Sequence, residues 1–147
     1  MTDPVGEIFE DDEREVIELA FPSRPDLVVL ARFAAATAAA RAGFDLEEIE
    51  DLRLAVDELF VSFGPVARNG CMRLELDRSA DTIRVVGSFE GFEPPESSDG
   101  AEDEKGTWER AAELSELLLD SLVDEHGRET RDGRAVVWLR KKRAANI

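Results

Sequence analysis

The chain has 147 residues, 43% of them apolar, and a formal charge of -16. That length sets one domain with enough material for a real core, and the apolar share excludes a disordered chain. The charge repels nucleic acid and anionic membranes and favours a basic partner.

A single cysteine, Cys71, rules out an intrachain disulfide. It follows Gly70 at the start of a strand-like run and reads as a small buried hydrophobe. One His and one Cys cannot make the usual His/Cys zinc site. Residues 1–15 are acidic where a signal peptide would be basic, and they lack an apolar centre. The apolar run 27–42 is broken by Arg32 and Arg41, so no stretch approaches the roughly 20 residues of a membrane span. The expectation is a cytoplasmic protein.

Residues 1–13, acidic with Pro4 and Gly6, read as a loose arm. Val16, Ile17, Leu19 and Phe21 predict a strand ending at Pro22. Ser23-Arg24-Pro25 starts a helix that runs through Leu27, Leu30, Phe33 and Thr37 to Arg41, with Gly43 as its stop. Its many alanines predict close packing on a sheet or a neighbouring helix.

The second helix, 45–63, is the most strongly patterned stretch. Ile49, Leu52, Val56, Leu59/Phe60 and Phe63 recur at three- and four-residue steps. Asp45 and Glu48 have capping-box spacing, and Gly64-Pro65 ends the run. Asp51, Ala55, Glu58 and Ser62 make a second stripe beside the apolar one. Such a stripe is either a solvated flank or the edge of a pocket.

Residues 71–76 and 82–86 predict a hairpin around a polar turn, 77–81, with Leu74, Leu76, Ile83 and Val85 facing the helices. The segment 89–106, with Pro94-Pro95, glycines and many acids, reads as a mobile loop. Trp108, Ala111, Leu114/Ser115, Leu118 and Leu122 predict a third helix to about Val123. A second hairpin follows, 124–130 with 134–140, around Arg131-Asp132-Gly133. Lys141-Lys142-Arg143 is expected to fray. The economical packing is an α+β two-layer sandwich: one mixed or antiparallel sheet with three helices on a single face.

Several runs carry a resemblance. They are Phe21-Pro22, the helix from Leu27 through Arg32 to Gly43-Phe44, and Ile49-Glu50-Asp51-Leu52-Arg53-Leu54-Ala55-Val56-Asp57-Glu58. The others are Leu118-Leu119-Asp120-Ser121-Leu122-Val123-Asp124-Glu125 and the closing strand 134–140. In this order they resemble the histidine-kinase-like ATPase domain, and more closely the bacterial anti-sigma factors and serine-protein kinases of partner-switching systems. The likeness covers residues 14–143 as one domain, leaving the arm 1–13 and a tail, 144–147.

The resemblance implies four nucleotide boxes, and this chain departs from each. In the helix box a Glu polarises water and an Asn four residues later carries magnesium. Glu58 holds the first position, but Ser62 stands at the second, at the family's magnesium-ligand place, and its hydroxyl lacks an amide's carbonyl oxygen. The family's Asp-x-Gly-x-Gly turn reads adenine; here Gly87 stands for the Asp and Phe89 for the first Gly, and only Gly91 matches. A Gly-x-Gly that would cradle phosphates on backbone amides is Glu113-Leu114-Ser115. Arg134-Ala135 replace a Thr of the closing strands. The acidic run 93–104 occupies the position of the ATP lid, where like charge repels a triphosphate.

What the resemblance then implies is a binding module. It would sequester a sigma factor, be countered by an anti-anti-sigma protein, form a homodimer, and bind ATP and magnesium weakly or not at all. The alternative is an active serine-protein kinase that phosphorylates its antagonist, with Glu58 as base. A third reading is a paralogue that binds some other regulator. Other chemistries lack support. His126 has no nucleophile at motif spacing and reads as a surface residue. Trp108 and Trp138 read as core packing, and the Glu-rich stretches lack EF-hand spacing.

Overall fold

The computed structural model describes residues 14–61, 70–90 and 101–144. Side chains are described throughout except at 25, 61, 90, 101–109 and 112. Strand β1, Glu15–Pro22, leads through a 3-10 turn, Pro25–Leu27, into helix α1, Val28–Arg41. Helix α2, Leu46–Val61, follows, then strands β2, Cys71–Ser79, and β3, Thr82–Glu90. Helix α3, Ala101–Leu122, and strands β4, Glu125–Arg131, and β5, Arg134–Lys142, complete the chain. The sheet order is β1-β2-β3-β5-β4, and all four ladders are antiparallel, which settles the mixed-or-antiparallel alternative.

Local chemistry explains the element ends. The Glu48 amide donates to Asp45 Oδ1 at 2.8 Å and the Asp45 amide to Glu48 Oε1 at 3.0 Å, a closed capping box that starts α2. Gly43 ends the preceding helix at φ 79°, a left-handed conformation that glycine adopts without steric cost. Asp132 and Gly133, at φ 50° and 76°, form the two-residue turn joining β4 to β5.

The core lies between one face of the sheet and the helices. Register aligns Ile17, Leu76, Val85 and Leu139 in one row, and Leu19, Leu74, Gly87 and Val137 in the next. Against them pack Leu52, Val56, Leu59 and Leu119, with Ala31, Ala35, Ala38 and Ala39 of α1 fully buried. Small side chains on α1 let it approach both α2 and the sheet, as its composition predicts.

The structure corrects five expectations. The first hairpin turns at Ala80-Asp81, not over 77–81, because Asp77 and Arg78 continue the ladder opposite Arg84 and Ile83. Arg78 points inward to an ion pair with Glu15, so its charge does not end the strand. The supposed loop 89–106 is shorter, since Phe89 and Glu90 belong to β3 and 101–106 to α3; 91–100 lie outside the described residues. Helix α3 buries Ser115, Leu119 and Val123, whereas Leu114 and Leu118 are exposed. Trp138 points to the open face of the sheet, because Val137 and Leu139 take the inward positions. The basic end is held, not frayed. Lys141 Nζ donates to the Leu122 carbonyl at 2.7 Å and Arg143 Nη1 to the Ala42 carbonyl at 3.0 Å, each cation closing the C-terminus of a helix. Cys71 is half-buried at the edge of β2. The arm 1–13, the helix stop at Phe63-Gly64-Pro65 and the side chain of Trp108 lie outside the described residues.

Glu15 ties β1 to α1: Arg41 Nη2 donates to its Oε2 at 2.6 Å and Arg78 Nε lies 3.1 Å from Oε1. The Arg41 hydrogen bond, with the charges of Arg41 and Arg78, holds the Glu15 carboxyl below its ordinary value against the opposing effect of burial. A lowered folded-state pKa stabilises the fold above the ordinary carboxylate range, and that contribution is lost as pH falls through the folded value. Urea unfolding of Glu15→Gln is therefore expected to show a stability deficit at pH 7 that closes in acid. A deficit independent of pH would show that the contact acts through packing alone.

Candidate functional site

Helix α2 presents two candidate surfaces near its C-terminal end. On one, Glu58 faces α3, and its Oε2 accepts a hydrogen bond from Ser115 Oγ at 2.6 Å. Ser115 is 2% exposed and Glu58 half-buried, so a carboxylate and a hydroxyl meet at a helix junction out of bulk water. That bond explains the rotation of α3: turning Ser115 inward carries Leu119 with it and leaves Leu118 outside. The Asp51, Ala55 and Glu58 stripe is therefore not a solvated flank. Ala55 is fully buried, and Asp51 Oδ2 lies 4.0 Å from Lys141 Nζ.

On the other surface, Phe60 reaches across to β3. A Cβ added to Gly87 would lie 3.5 Å from Phe60 Cε1 and 3.5 Å from Val137 Cγ2. Phe60 also meets Phe89 edge to face, with ring centroids 6.4 Å apart and planes at 89°. Phe89 is 2% exposed and pairs in register with Ala135 of β5. The four residues Phe60, Gly87, Phe89 and Val137 thus make an apolar corner between α2 and the sheet. A neighbouring carboxyl, Asp57, is pushed up by burial, with Arg32 Nε 3.2 Å away opposing the shift.

A family model for the histidine kinase-like ATPase domain matches residues 21–141. The chain belongs to that family. It is also similar to the serine-protein kinase RsbW of Bacillus subtilis (strain 168), 27% identical over 121 residues that cover 76% of each chain. The histidine kinase-like ATPase domain accounts for the element order and the one-sided helical layer described above.

Of the site residues expected from sequence, the structure joins Glu58 to Ser115, and it places Gly87 and Phe89 together beneath Phe60. Glu113 and Leu114 are exposed on α3, and Arg134 is exposed at the start of β5. Ser62 and Gly91 lie outside the described residues. Phe60, which the sequence places on the apolar face of α2 as ordinary core, is the residue whose part in the site the sequence did not reveal. Its signal was available in part: a glycine at 87, flanked by β-branched and aromatic residues, leaves room for a large ring from another element. His126 is mostly covered, with Nε2 at 2.5 Å from Asp120 Oδ1, and so is a link between β4 and α3 more than a free surface group. Among the described residues no group of three or more metal-ligating side chains is placed to hold an ion, and no helix is long and apolar enough to cross a membrane.

Proposed function

We propose that this protein is an anti-sigma-factor-like regulator that acts by occupying a partner's surface and binds ATP weakly or not at all. The observation that carries the reading is the Phe60 ring seated over Gly87 and against Phe89, where the family's adenine-reading turn would stand. Aromatic carbon there offers no acceptor for the adenine amino group. The Glu58–Ser115 bond supports the same reading, because it engages a carboxylate oxygen that water activation would need free. Glu113, exposed at the phosphate-cradle position, adds negative charge where a triphosphate would lie. These residues do not fit a magnesium nucleotide.

The target in this reading is a sigma factor in the cytoplasm, released by an anti-anti-sigma protein; nucleic acid and membrane are not contacted directly. A charge of -16 suits a cover for a basic, nucleic-acid-facing surface. A second reading, an active serine-protein kinase, is favoured by the likeness to a protein of that name and by the presence of Glu58.

Thermal unfolding with magnesium ATP or ADP separates the two. A nucleotide at 100 times its dissociation constant stabilises by about 2.7 kcal/mol. No shift is expected at millimolar nucleotide, with Glu58→Ala behaving as the parent does. A clear shift, with phosphorylation of an antagonist that Glu58→Ala abolishes, would establish the kinase. Co-purification with individual sigma factors tests the binding role in parallel.

A further inference from the structure

The rotation that buries Ser115 turns three leucines of α3 to the outside: Leu114, Leu117 and Leu118 are 61%, 66% and 47% exposed. They stand at three- and four-residue steps and form one stripe along the helix. Leu54 of α2 is exposed in the same way, on the side away from the buried Leu52, Ala55, Val56 and Leu59. Two contacts fix how these helices lie beside each other. Glu58 meets Ser115 at 2.6 Å, and Lys141 Nζ joins the Leu122 carbonyl, at 2.7 Å, to Asp51 Oδ2, at 4.0 Å. The helices therefore run antiparallel. Leu54 and Leu118, midway between those contacts, come level on the outer surface. With Leu114 and Leu117 they make an apolar patch across the seam of the two helices.

The rim of this patch has one sign of charge. Helices α2 and α3 together carry thirteen acidic and three basic residues. Glu47, Glu50, Glu113, Glu116 and Asp120 are all exposed. Glu116 and Asp120 lean toward Arg128 and His126 of β4, and Glu50 pairs with Arg53 of its own helix. Glu47 and Glu113 make no ion pair among the described residues.

Contiguous exposed apolar surface with a polar rim marks an interaction site, and the charge of the rim selects what covers it. A second copy of this chain would set acid against acid across the same face. An anionic membrane is repelled for the same reason. A helix with apolar residues on one side and Lys or Arg beside them satisfies both the patch and its rim. It packs along the seam as a third helix, its apolar stripe on Leu54 and Leu118 and its cations against the flanking carboxylates. We infer that the outer seam of α2 and α3 is the face with which this protein takes its partner, and that the partner docks a basic amphipathic helix there. The inference rests on the regulator reading above and adds to it the face used and the chemistry of the segment bound.

The test follows leucine methyl resonances of the full chain as a designed helical peptide of leucine and lysine, its leucines on one side, is added. Leu54, Leu114, Leu117 and Leu118 are expected to shift to saturation, while Leu30 and Leu46, exposed elsewhere, stay in place. The same peptide with glutamate for lysine should move none of them. Leu54→Asp/Leu118→Asp should abolish the saturable response. If that variant misfolds, Glu47→Lys/Glu113→Lys keeps the patch and must weaken peptide binding about tenfold. No shift, shifts that include Leu30 and Leu46, or an equal response to the acidic peptide overturns the proposal. Shifts that follow the chain's own concentration without peptide also overturn it, because the face would then belong to a second copy. A sigma factor that co-purifies with the parent should be lost from Leu54→Asp/Leu118→Asp and weakened in Glu47→Lys/Glu113→Lys. Undiminished co-purification overturns this docking face and leaves the regulator reading standing. If no sigma factor co-purifies with the parent, that reading falls, while the peptide titration still decides what the seam binds.

Discussion

Gly87→Asp, which restores the carboxylate that the family uses to read adenine, is expected to lower stability by about 3 kcal/mol at neutral pH without conferring nucleotide affinity. The Cβ itself fits, since Phe60 and Val137 stand at an ordinary contact distance of 3.5 Å. The carboxylate does not, because its surroundings are the Phe60 ring, Val137 and the buried Phe89. Desolvation raises such a group's pKa, and a rise of about two units corresponds to about 2.7 kcal/mol at neutral pH. A raised folded-state value makes the cost largest at neutral pH and lets it vanish as pH falls below the ordinary carboxylate range. Denaturant titrations at pH 7 and pH 4 should show that convergence, and Phe60→Ala in the same chain should reduce the penalty by admitting water. Micromolar ATP binding by Gly87→Asp would show instead that the adenine corner is intact but for one side chain.

Ser115→Ala is expected to cost about 2 kcal/mol, within the range for leaving a partly buried charged acceptor without its donor. Glu58→Ala should cost less. The stranded Ser115 hydroxyl can turn to a carbonyl of its own helix, whereas a stranded carboxylate has no comparable refuge. The double variant should then be no worse than Ser115→Ala alone, giving a coupling of about 1 kcal/mol or more in a double-mutant cycle. Additive losses would mean that the 2.6 Å contact contributes nothing beyond packing.

Both experiments turn on residues whose types are plain in the sequence but whose neighbours are not. The strand and helix order was legible because hydrophobic period is a local signal. So were the Asp45–Glu48 capping box, the Gly43 stop and the Asp132-Gly133 turn, each set by backbone chemistry within four residues. The errors share one cause, a partner distant in the chain. Asp77 and Arg78 look like turn residues until Arg14, just before β1, and Glu15, its first residue, supply their counter-charges. Lys141 and Arg143 look like a frayed end until the C-termini of α3 and α1 offer carbonyls. Val136-Val137-Trp138-Leu139 is apolar throughout, so alternation alone could not say which side faces the helices; pairing with β3 decided it.

The same division holds at the candidate site. Sequence alone determined the α+β layer, the family's element order, and which residue types stand at the nucleotide-box positions, because these follow from local periodicity and from composition along the chain. Only the tertiary structure decided that Glu58 is answered by Ser115 and that Phe60 lies over Gly87. Each of those contacts joins elements separated by a helix, a strand or more, and its existence depends on how α2 and α3 are rotated against the sheet. That rotation is set by packing and by one buried hydrogen bond, neither of which leaves a periodic mark on the chain.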